Sequence, residues 1–213
     1  ANTLNYLDIK TVVVSCGTCY DQLAGYEFEK IFPGCRIIDI HEFLLEKGIK
    51  LDGVSGTRYM YHDPCHTPIK TIDPVKLVNE LMGSSHDGYT IEKNERCCGE
   101  SGTLAVTRPD ISTQVRFRKE EEIRKGAAKL REIPIAAAGA NGAEAAAAGN
   151  GAADVKVLTS CPACLQGLSR YNEDAGIEAD YIVVEMARHV LGENWMAEYV
   201  ERANNGGIER VLV

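Results

Sequence analysis

Five cysteines in three short segments are the residues of this chain best suited to chemistry. Cys65 lies in His62-Asp63-Pro64-Cys65-His66, and the adjacent pair Cys97-Cys98 follows after 31 residues. Cys161 and Cys164 form a Cys-x-x-Cys motif further along the chain. Cysteine thiolates are the usual protein ligands of iron–sulfur clusters, whereas a structural zinc ion takes four ligands. Five sulfurs exceed the need of one zinc ion, so the set favours an iron–sulfur site.

The neighbours of these cysteines suit a ligand loop better than a disulfide. Adjacent Cα atoms are only about 3.8 Å apart, so Cys97-Cys98 cannot easily form a relaxed disulfide, but the pair can present two sulfurs to a cluster. Gly99 permits a close approach of the backbone. Pro64 and Pro162 stiffen the other two cysteine segments.

A second Cys-x-x-Cys motif, Cys16 and Cys19, points to an internal repeat. The segments that start at Ser15 and Ser160 share the frame Ser-Cys-x-x-Cys-x-x-x-Leu-x-x-Tyr, offset by 145 positions. Only 15 residues precede Cys16, so the first copy lacks the upstream cysteines of the second. We therefore predict that residues 1–56 are the end of a first cysteine-rich repeat, truncated here, and that residues 57–213 form a complete second repeat.

Other uses of the thiols remain open on the residues alone. Zinc bound by the two Cys-x-x-Cys pairs, thiol–disulfide exchange and buried unreactive thiols are the alternatives. Cys35, which stands alone, is predicted to be such a structural thiol. His62 and His66 could be ligands or proton carriers, but with five sulfurs available we favour hydrogen-bonding roles that shape the loop.

Apolar runs alternate with helical patterns along the chain. Predicted strands cover residues 11–14, 36–40, 58–62, 89–91 and 155–159. Helices are predicted near residues 20–23, 41–47, 74–82 with Asp73 as N-cap, and from Pro109 to before Pro134 with an apolar stripe that includes Ile111. This alternation predicts an α/β fold with a largely parallel sheet and flanking helices. Residues 136–153, of which 15 of 18 are Ala or Gly, are predicted to be a flexible surface insert.

Composition excludes several classes of protein. A net charge of −8 argues against general nucleic-acid binding, which needs clustered Lys and Arg. No apolar run is long enough for a transmembrane segment, and the first residues lack the pattern of a secretory signal. Eight cysteines in 213 residues are too few for a secreted disulfide scaffold, so we predict a reducing, cytoplasmic location.

The combined pattern resembles the cysteine-rich "CCG" domain family. The residues that carry the resemblance are His62-Asp63-Pro64-Cys65-His66, Cys97-Cys98-Gly99-Glu100-Ser101-Gly102-Thr103 and Cys161-x-x-Cys164. This family includes the cysteine-rich subunit of heterodisulfide reductase and the iron–sulfur subunits of glycolate oxidase and of lactate-utilisation systems. Similar segments also occur at the C-terminal end of large FAD-linked oxidases. The spacing from Cys98 to Cys161 is longer than in the family, and the Ala/Gly insert accounts for most of the excess.

The resemblance implies both a cofactor and a role. It implies a [4Fe–4S] cluster, noncubane in heterodisulfide reductase, with Cys65, Cys97, Cys98, Cys161 and Cys164 as ligands. Cys16 and Cys19 would be the closing pair of the preceding repeat. The implied protein is the electron-transfer module of a flavin-dependent 2-hydroxyacid dehydrogenase, an oxidoreductase component that is inactive on its own.

In such an enzyme, electrons would pass from FAD on another domain or subunit to a quinone or another carrier. The inner membrane would be reached only through partner proteins. A zinc-stabilised module that docks a dehydrogenase, and a disulfide reductase like heterodisulfide reductase, remain the alternatives.

Overall fold

The computed structural model describes residues 6–54, 56–100, 102–133 and 154–206. The predicted flexible insert at 136–153 lies outside the described residues, as does Ser101 of the vicinal cysteine motif. All the cysteines predicted as ligands lie within the described residues.

Within these described residues, five strands form two parallel sheets. The strands are β1 (Thr11–Val14), β2 (Arg36–Asp39), β3 (Thr57–His62), β4 (Asp154–Thr159) and β5 (Glu178–Tyr181). One sheet has the order β1-β2 and the other has the order β3-β4-β5. Every pairing between these strands is parallel. The predicted α/β class with a largely parallel sheet is therefore confirmed, with the strands divided between two sheets.

Ten helices connect and flank the strands in the described part of the chain. They are α1 (Gly17–Gly25), α2 (Phe28–Ile31), α3 (Ile40–Glu46), α4 (Pro74–Met82), α5 (Leu104–Thr107), α6 (Pro109–Arg131), α7 (Pro162–Leu168), α8 (Tyr171–Ala175), α9 (Ile182–Leu191) and α10 (Trp195–Asn204). The order β1-α1-α2-β2-α3 near the start is repeated as β4-α7-α8-β5-α9 near the end.

Helix boundaries follow the predicted caps, but one predicted apolar stripe is partly wrong. Asp73 accepts a hydrogen bond from the backbone N–H of Lys76, which satisfies a donor at the start of α4. On α6, Ile123 and Ala127 are buried, but Ile111 is 39% exposed. In the first turn of α6 the neighbouring Ser112, not Ile111, faces inward, and its hydroxyl donates to the Gly99 carbonyl.

The predicted strand at residues 89–91 is wrong. Residues 89–91 belong to no strand, and the residues that follow them form an isolated bridge to β3, between Tyr61 and Lys93. The N–H of Tyr61 donates to the carbonyl of Glu92, and the N–H of Asn94 donates to the carbonyl of Tyr61. Two hydrogen bonds hold the segment against β3 without a ladder, so it can turn away directly into the cysteine pair.

Two hydrophobic cores support these layers. The larger surrounds the three-stranded sheet and includes Tyr61, Leu77, Ile123 and Leu158. The smaller consists of Phe28, Phe32 and Cys35 beneath the β1-β2 sheet. Cys35 is 4% exposed in this core, which agrees with its prediction as a structural thiol.

The two sheets are joined close to the cysteine segments. The Glu42 carboxylate of α3 accepts hydrogen bonds from the backbone N–H groups of Lys70, Thr71 and Ile72 and from the Thr71 hydroxyl. Gly17 lies so close to the His66 carbonyl that a Cβ atom there would be 1.6 Å from its oxygen. The first Cys-x-x-Cys turn is therefore packed directly against the loop that carries Cys65.

Candidate metal centre

The topology brings the three predicted cysteine segments to one place. Cys65 follows β3 and Cys161 follows β4, and these neighbouring parallel strands end side by side, with His62 opposite Thr159. The segment bound to Tyr61 delivers the vicinal pair to the same edge. Together they surround a cavity of about 290 Å³, lined by Cys65, Cys97, Cys98, Cys161, Cys164, Thr18, Pro64, His66, Gly102 and Ala163.

The five sulfurs differ in their burial. Cys98 and Cys164 are buried, and their Sγ atoms lie 3.4 Å apart. Cys161 is half-buried, whereas Cys65 and Cys97 are exposed. The cavity therefore has a deep sulfur pair at its base and a more accessible rim.

Hydrogen bonds favour the thiolate form of some of these cysteines. Hydrogen bonds from Cys164 and Cys97 hold the pKa of Cys98 well below its ordinary value. The pKa of Cys161 is lowered to about 6, chiefly by a hydrogen bond from Cys164 and also by the backbone N–H groups of Cys164 and Ala163 at the start of α7. Thiolates are the form that binds metal.

Side chains of helix α6 bind the backbone of the vicinal cysteine loop both before and after Cys97-Cys98. The Ser112 hydroxyl donates to the Gly99 carbonyl over 2.7 Å. The Lys119 ammonium donates to the Asn94 carbonyl over 3.0 Å. The Glu122 carboxylate accepts from the N–H groups of residues 95 and 96, each over 3.0 Å. These contacts flank Cys97-Cys98 and hold the backbone on both sides of the pair.

Lys119 is a buried cation beneath the site, and sequence reasoning missed it. Its side chain is fully buried and lies 3.3 Å from the Glu122 carboxylate. Burial lowers the pKa of Lys119 to about 8, while the charges of Glu122, Cys98 and Cys164 act in the opposite direction. The run Arg116-Phe117-Arg118-Lys119 is typical of a solvated helix face, and only the helical phase could have placed Lys119 with Ile123 on the inner side.

Gly99 allows α6 to approach the loop this closely. Its φ is +77°, a conformation that side chains rarely adopt, and a Cβ atom there would lie 2.7 Å from Cγ of Arg116 and 3.2 Å from the Ser112 carbonyl oxygen. The predicted requirement for a small residue beside the vicinal pair is therefore confirmed.

The two histidines that flank Cys65 have different surroundings. His66 Nδ1 lies 3.0 Å from the Asp21 carboxylate, so its predicted hydrogen-bonding role is confirmed. His62 is 1% exposed, and neither of its ring nitrogens has a hydrogen-bond partner of ordinary geometry among the described residues. The donor atoms of His62, Cys98 and Cys164 lie within 4.8 Å of one another, a group that could hold a metal ion.

The first Cys-x-x-Cys pair does not line the cavity. Cys16 is half-buried and Cys19 is exposed, and a hydrogen bond with Cys16 raises the pKa of Cys19. Of this turn, only Thr18 reaches the cavity wall. The tyrosines of the repeated frame also differ, because Tyr171 is buried whereas Tyr26 is 64% exposed.

No helix in the described part of the chain combines the length and the apolar character needed to cross a bilayer.

Comparisons with known proteins agree with the geometry of the site. One similar protein, from Methanothermobacter marburgensis, is named as a subunit of a CoM/CoB fumarate reductase; it is 31% identical over 125 residues, which cover 54% of this chain and 24% of that protein. Another is an uncharacterised iron–sulfur protein of Methanocaldococcus jannaschii, 32% identical over 111 residues, which cover 52% of this chain and 22% of that protein. A third, an uncharacterised iron–sulfur protein of Methanococcus maripaludis, is 26% identical over 122 residues, 56% of this chain and 24% of that protein.

The chain thus matches about a quarter of the length of these relatives. No solved structure matches it significantly. Residues 169–213 match a domain of unknown function, DUF3400. Residues 59–169, slightly more than half of the chain, match the cysteine-rich domain family named CCG and contain all five sulfurs of the cavity. The chain therefore belongs to the cysteine-rich domain family.

Proposed function

We propose that this chain is the iron–sulfur electron-transfer part of a larger oxidoreductase. The observation that carries the proposal is the single cavity lined by all five predicted ligands, Cys65, Cys97, Cys98, Cys161 and Cys164. The names of the relatives support it, since two are iron–sulfur proteins and one is a reductase subunit.

The residues present fit an iron–sulfur cluster. Five thiols converge on one cavity, the deepest two are 3.4 Å apart, and hydrogen bonds lower the pKa of Cys98 and Cys161. A [4Fe–4S] cluster bound there would accept and release single electrons. The chain would supply the thiolates, exclude water from the deep pair and compensate negative charge through Lys119.

For the parent enzyme we propose a flavin-dependent 2-hydroxyacid dehydrogenase. In this proposal FAD resides on another domain or subunit, and a quinone or another carrier receives the electrons. The same proposal treats residues 1–56 as the end of a first repeat and residues 57–213 as a complete second one, with Cys16 and Cys19 as part of the first.

The second candidate is a reductase, in which electrons flow through the cluster toward an organic acid rather than away from one. It is favoured by the similarity to a protein named as part of a fumarate reductase. The two candidates share the cluster and the cysteine ligands, and differ in whether the organic acid donates or receives electrons.

Anaerobic purification followed by reductive titration tests the shared part of the proposal. We expect brown protein that contains iron and sulfide and is bleached by dithionite, and a Cys97→Ser variant that loses most of both elements. Cys35→Ala is the matched control, because Cys35 lies in the smaller core. Colourless protein with stoichiometric zinc would instead support the zinc-stabilised docking module.

The parent complex, purified with its flavoprotein, distinguishes the two directions. Bleaching of the cluster on addition of glycolate or lactate is expected for the dehydrogenase. Reoxidation of a reduced complex by fumarate, without bleaching by 2-hydroxyacids, would favour the reductase.

A further inference from the structure

His62 lies beneath the metal centre without an evident structural function. It is the last residue of β3 and 1% exposed. Side chains alternate along a strand, so His62 lies on the same face as Met60. Met60 contacts α6, since a Cβ atom at Gly126 would lie 2.4 Å from its sulfur. The imidazole is thus enclosed between the sheet and α6, on the side from which the vicinal cysteine loop is held.

A buried imidazole without partners is costly. A buried donor that makes no hydrogen bond carries the full penalty of its lost hydration, and an apolar side chain would fill this space without that penalty. Neither nitrogen of His62 has a hydrogen-bond partner of ordinary geometry among the described residues. The Sγ atoms of Cys98 and Cys164 lie within 4.8 Å of a ring nitrogen. The Thr159 hydroxyl is also unpartnered, but a charged thiolate is the stronger acceptor.

The position of the His62 ring indicates a hydrogen-bond donor rather than a metal ligand. All five cysteines line the cavity, whereas His62 does not. The imidazole therefore approaches the two buried sulfurs from the protein side, opposite the space that a cluster would occupy. A ligand would have to reach past these sulfurs, but a ring N–H that donates to them needs only a small adjustment.

We propose that His62 is a positioning residue that donates a hydrogen bond from its imidazole N–H to the buried sulfur pair of Cys98 and Cys164. The inference rests on the proposed iron–sulfur function and adds a tuning residue to the same site. Hydrogen bonds to ligating sulfurs withdraw negative charge from them, which makes the reduced cluster less unfavourable and raises its reduction potential.

Two substitutions separate the hydrogen bond from the volume of the side chain. His62→Gln keeps an N–H donor, and His62→Leu fills the site without one. We expect the one-electron reduction equilibrium of His62→Leu to become at least about tenfold less favourable, ~59 mV lower in midpoint potential, and that of His62→Gln to stay within about threefold of the parent protein. His86→Gln, at an exposed histidine outside the site, is the control and should leave the potential unchanged.

Equal potentials in His62→Leu and the parent protein, at equal iron content, would overturn the proposal. A pulsed EPR measurement on the reduced parent protein provides an independent readout if His62→Leu fails to retain iron. In protein labelled with ¹⁵N in its histidine rings, a weak ¹⁵N coupling that disappears in His62→Gln is expected for a hydrogen-bonded imidazole. A strong coupling typical of direct ligation, or none, would contradict it. Parent protein without iron would instead refute the proposed function.

Discussion

The two Cys-x-x-Cys turns have the same local structure and different surroundings. Cys16 has φ −146° and ψ 127°, and Cys161 has φ −132° and ψ 123°. In each turn the carbonyl of the first cysteine accepts from the N–H four residues later, over 2.9 Å. Yet the second cysteine of the later turn, Cys164, is buried 3.4 Å from Cys98, whereas its counterpart Cys19 is exposed.

The difference shows that the turn alone does not make the site. A strand followed by Cys-x-x-Cys and a helix fixes two sulfurs relative to each other. The earlier turn also packs against the Cys65 loop, but neither of its sulfurs lines the cavity. The later turn places both of its sulfurs there, beside Cys65 and the vicinal pair. The metal centre therefore depends on contacts between segments that are far apart in the chain. The earlier turn contributes only Thr18 to the wall of the cavity.

Serine substitutions at equivalent positions of the two turns should differ most in the amount of iron that the protein retains. Cys164→Ser removes a buried sulfur from the cavity, and we expect it to lose most of the bound iron. Cys19→Ser, at the equivalent position of the other turn, should retain the iron of the parent protein. Iron and sulfide analysis after anaerobic purification measures both variants, and similar losses would show that the earlier turn belongs to the same centre.

Gly17→Ala should disrupt the contact between the earlier turn and the Cys65 loop. The new Cβ would lie 1.6 Å from the His66 carbonyl oxygen, a backbone atom that cannot rotate away. We expect a loss of about 3 kcal/mol in the free energy of unfolding, measured in urea. Gly25→Ala, at the end of the same helix with open space around its Cβ, should cause no loss. Equal stability of the two variants would refute the close packing.

Lys119→Met tests the support that only the later site receives. It leaves the Asn94 carbonyl without its donor and the Glu122 carboxylate without its cation, and we expect a loss of about 2 kcal/mol in unfolding free energy, with weaker iron retention. Lys125→Met removes only an exposed ion pair with Glu121 and should change stability by less than about 0.5 kcal/mol. Matching thermal shifts in the two variants would contradict the role of Lys119.

Alkylation of the metal-free, reduced protein should reveal a smaller difference between the turns. The pKa of Cys161 is lowered to about 6, chiefly by a hydrogen bond from Cys164, whereas a hydrogen bond with Cys16 raises the pKa of Cys19. Cys161 is therefore mostly thiolate at pH 7, and its reaction with iodoacetamide should rise little between pH 7 and 9. The rate at Cys19 should rise about tenfold per pH unit over the same interval, since only the thiolate reacts. Parallel pH profiles, followed by mass spectrometry of the peptides, would be inconsistent with these shifts.

Sequence patterns predicted the elements that rest on local signals. The strand before each Cys-x-x-Cys turn and the Asp73 cap of α4 are encoded by neighbouring residues, and the structure has them. The Cys65 and Cys161 segments meet because neighbouring parallel strands end at the same edge of a sheet. The strand expected at residues 89–91 was wrong because the Asn79 side chain, and not a neighbouring strand, binds the backbone N–H and carbonyl of Ile91.

The surroundings of the cysteines could not be predicted in the same way. His62 lies in a recognisable motif and Lys119 is in helical phase with Ile123, but their burial next to the cysteines depends on packing between distant elements, which no local pattern encodes. The exposure of Tyr26 and the burial of Tyr171 arise similarly, because identical frames meet different neighbours.

Iron and acid-labile sulfide per chain in anaerobically purified protein test the central claim most directly. We predict both elements in similar amounts in the parent protein and in Cys19→Ser, and near absence of both in Cys164→Ser. Protein that holds zinc and no sulfide, or that retains its iron in Cys164→Ser, would contradict the claim.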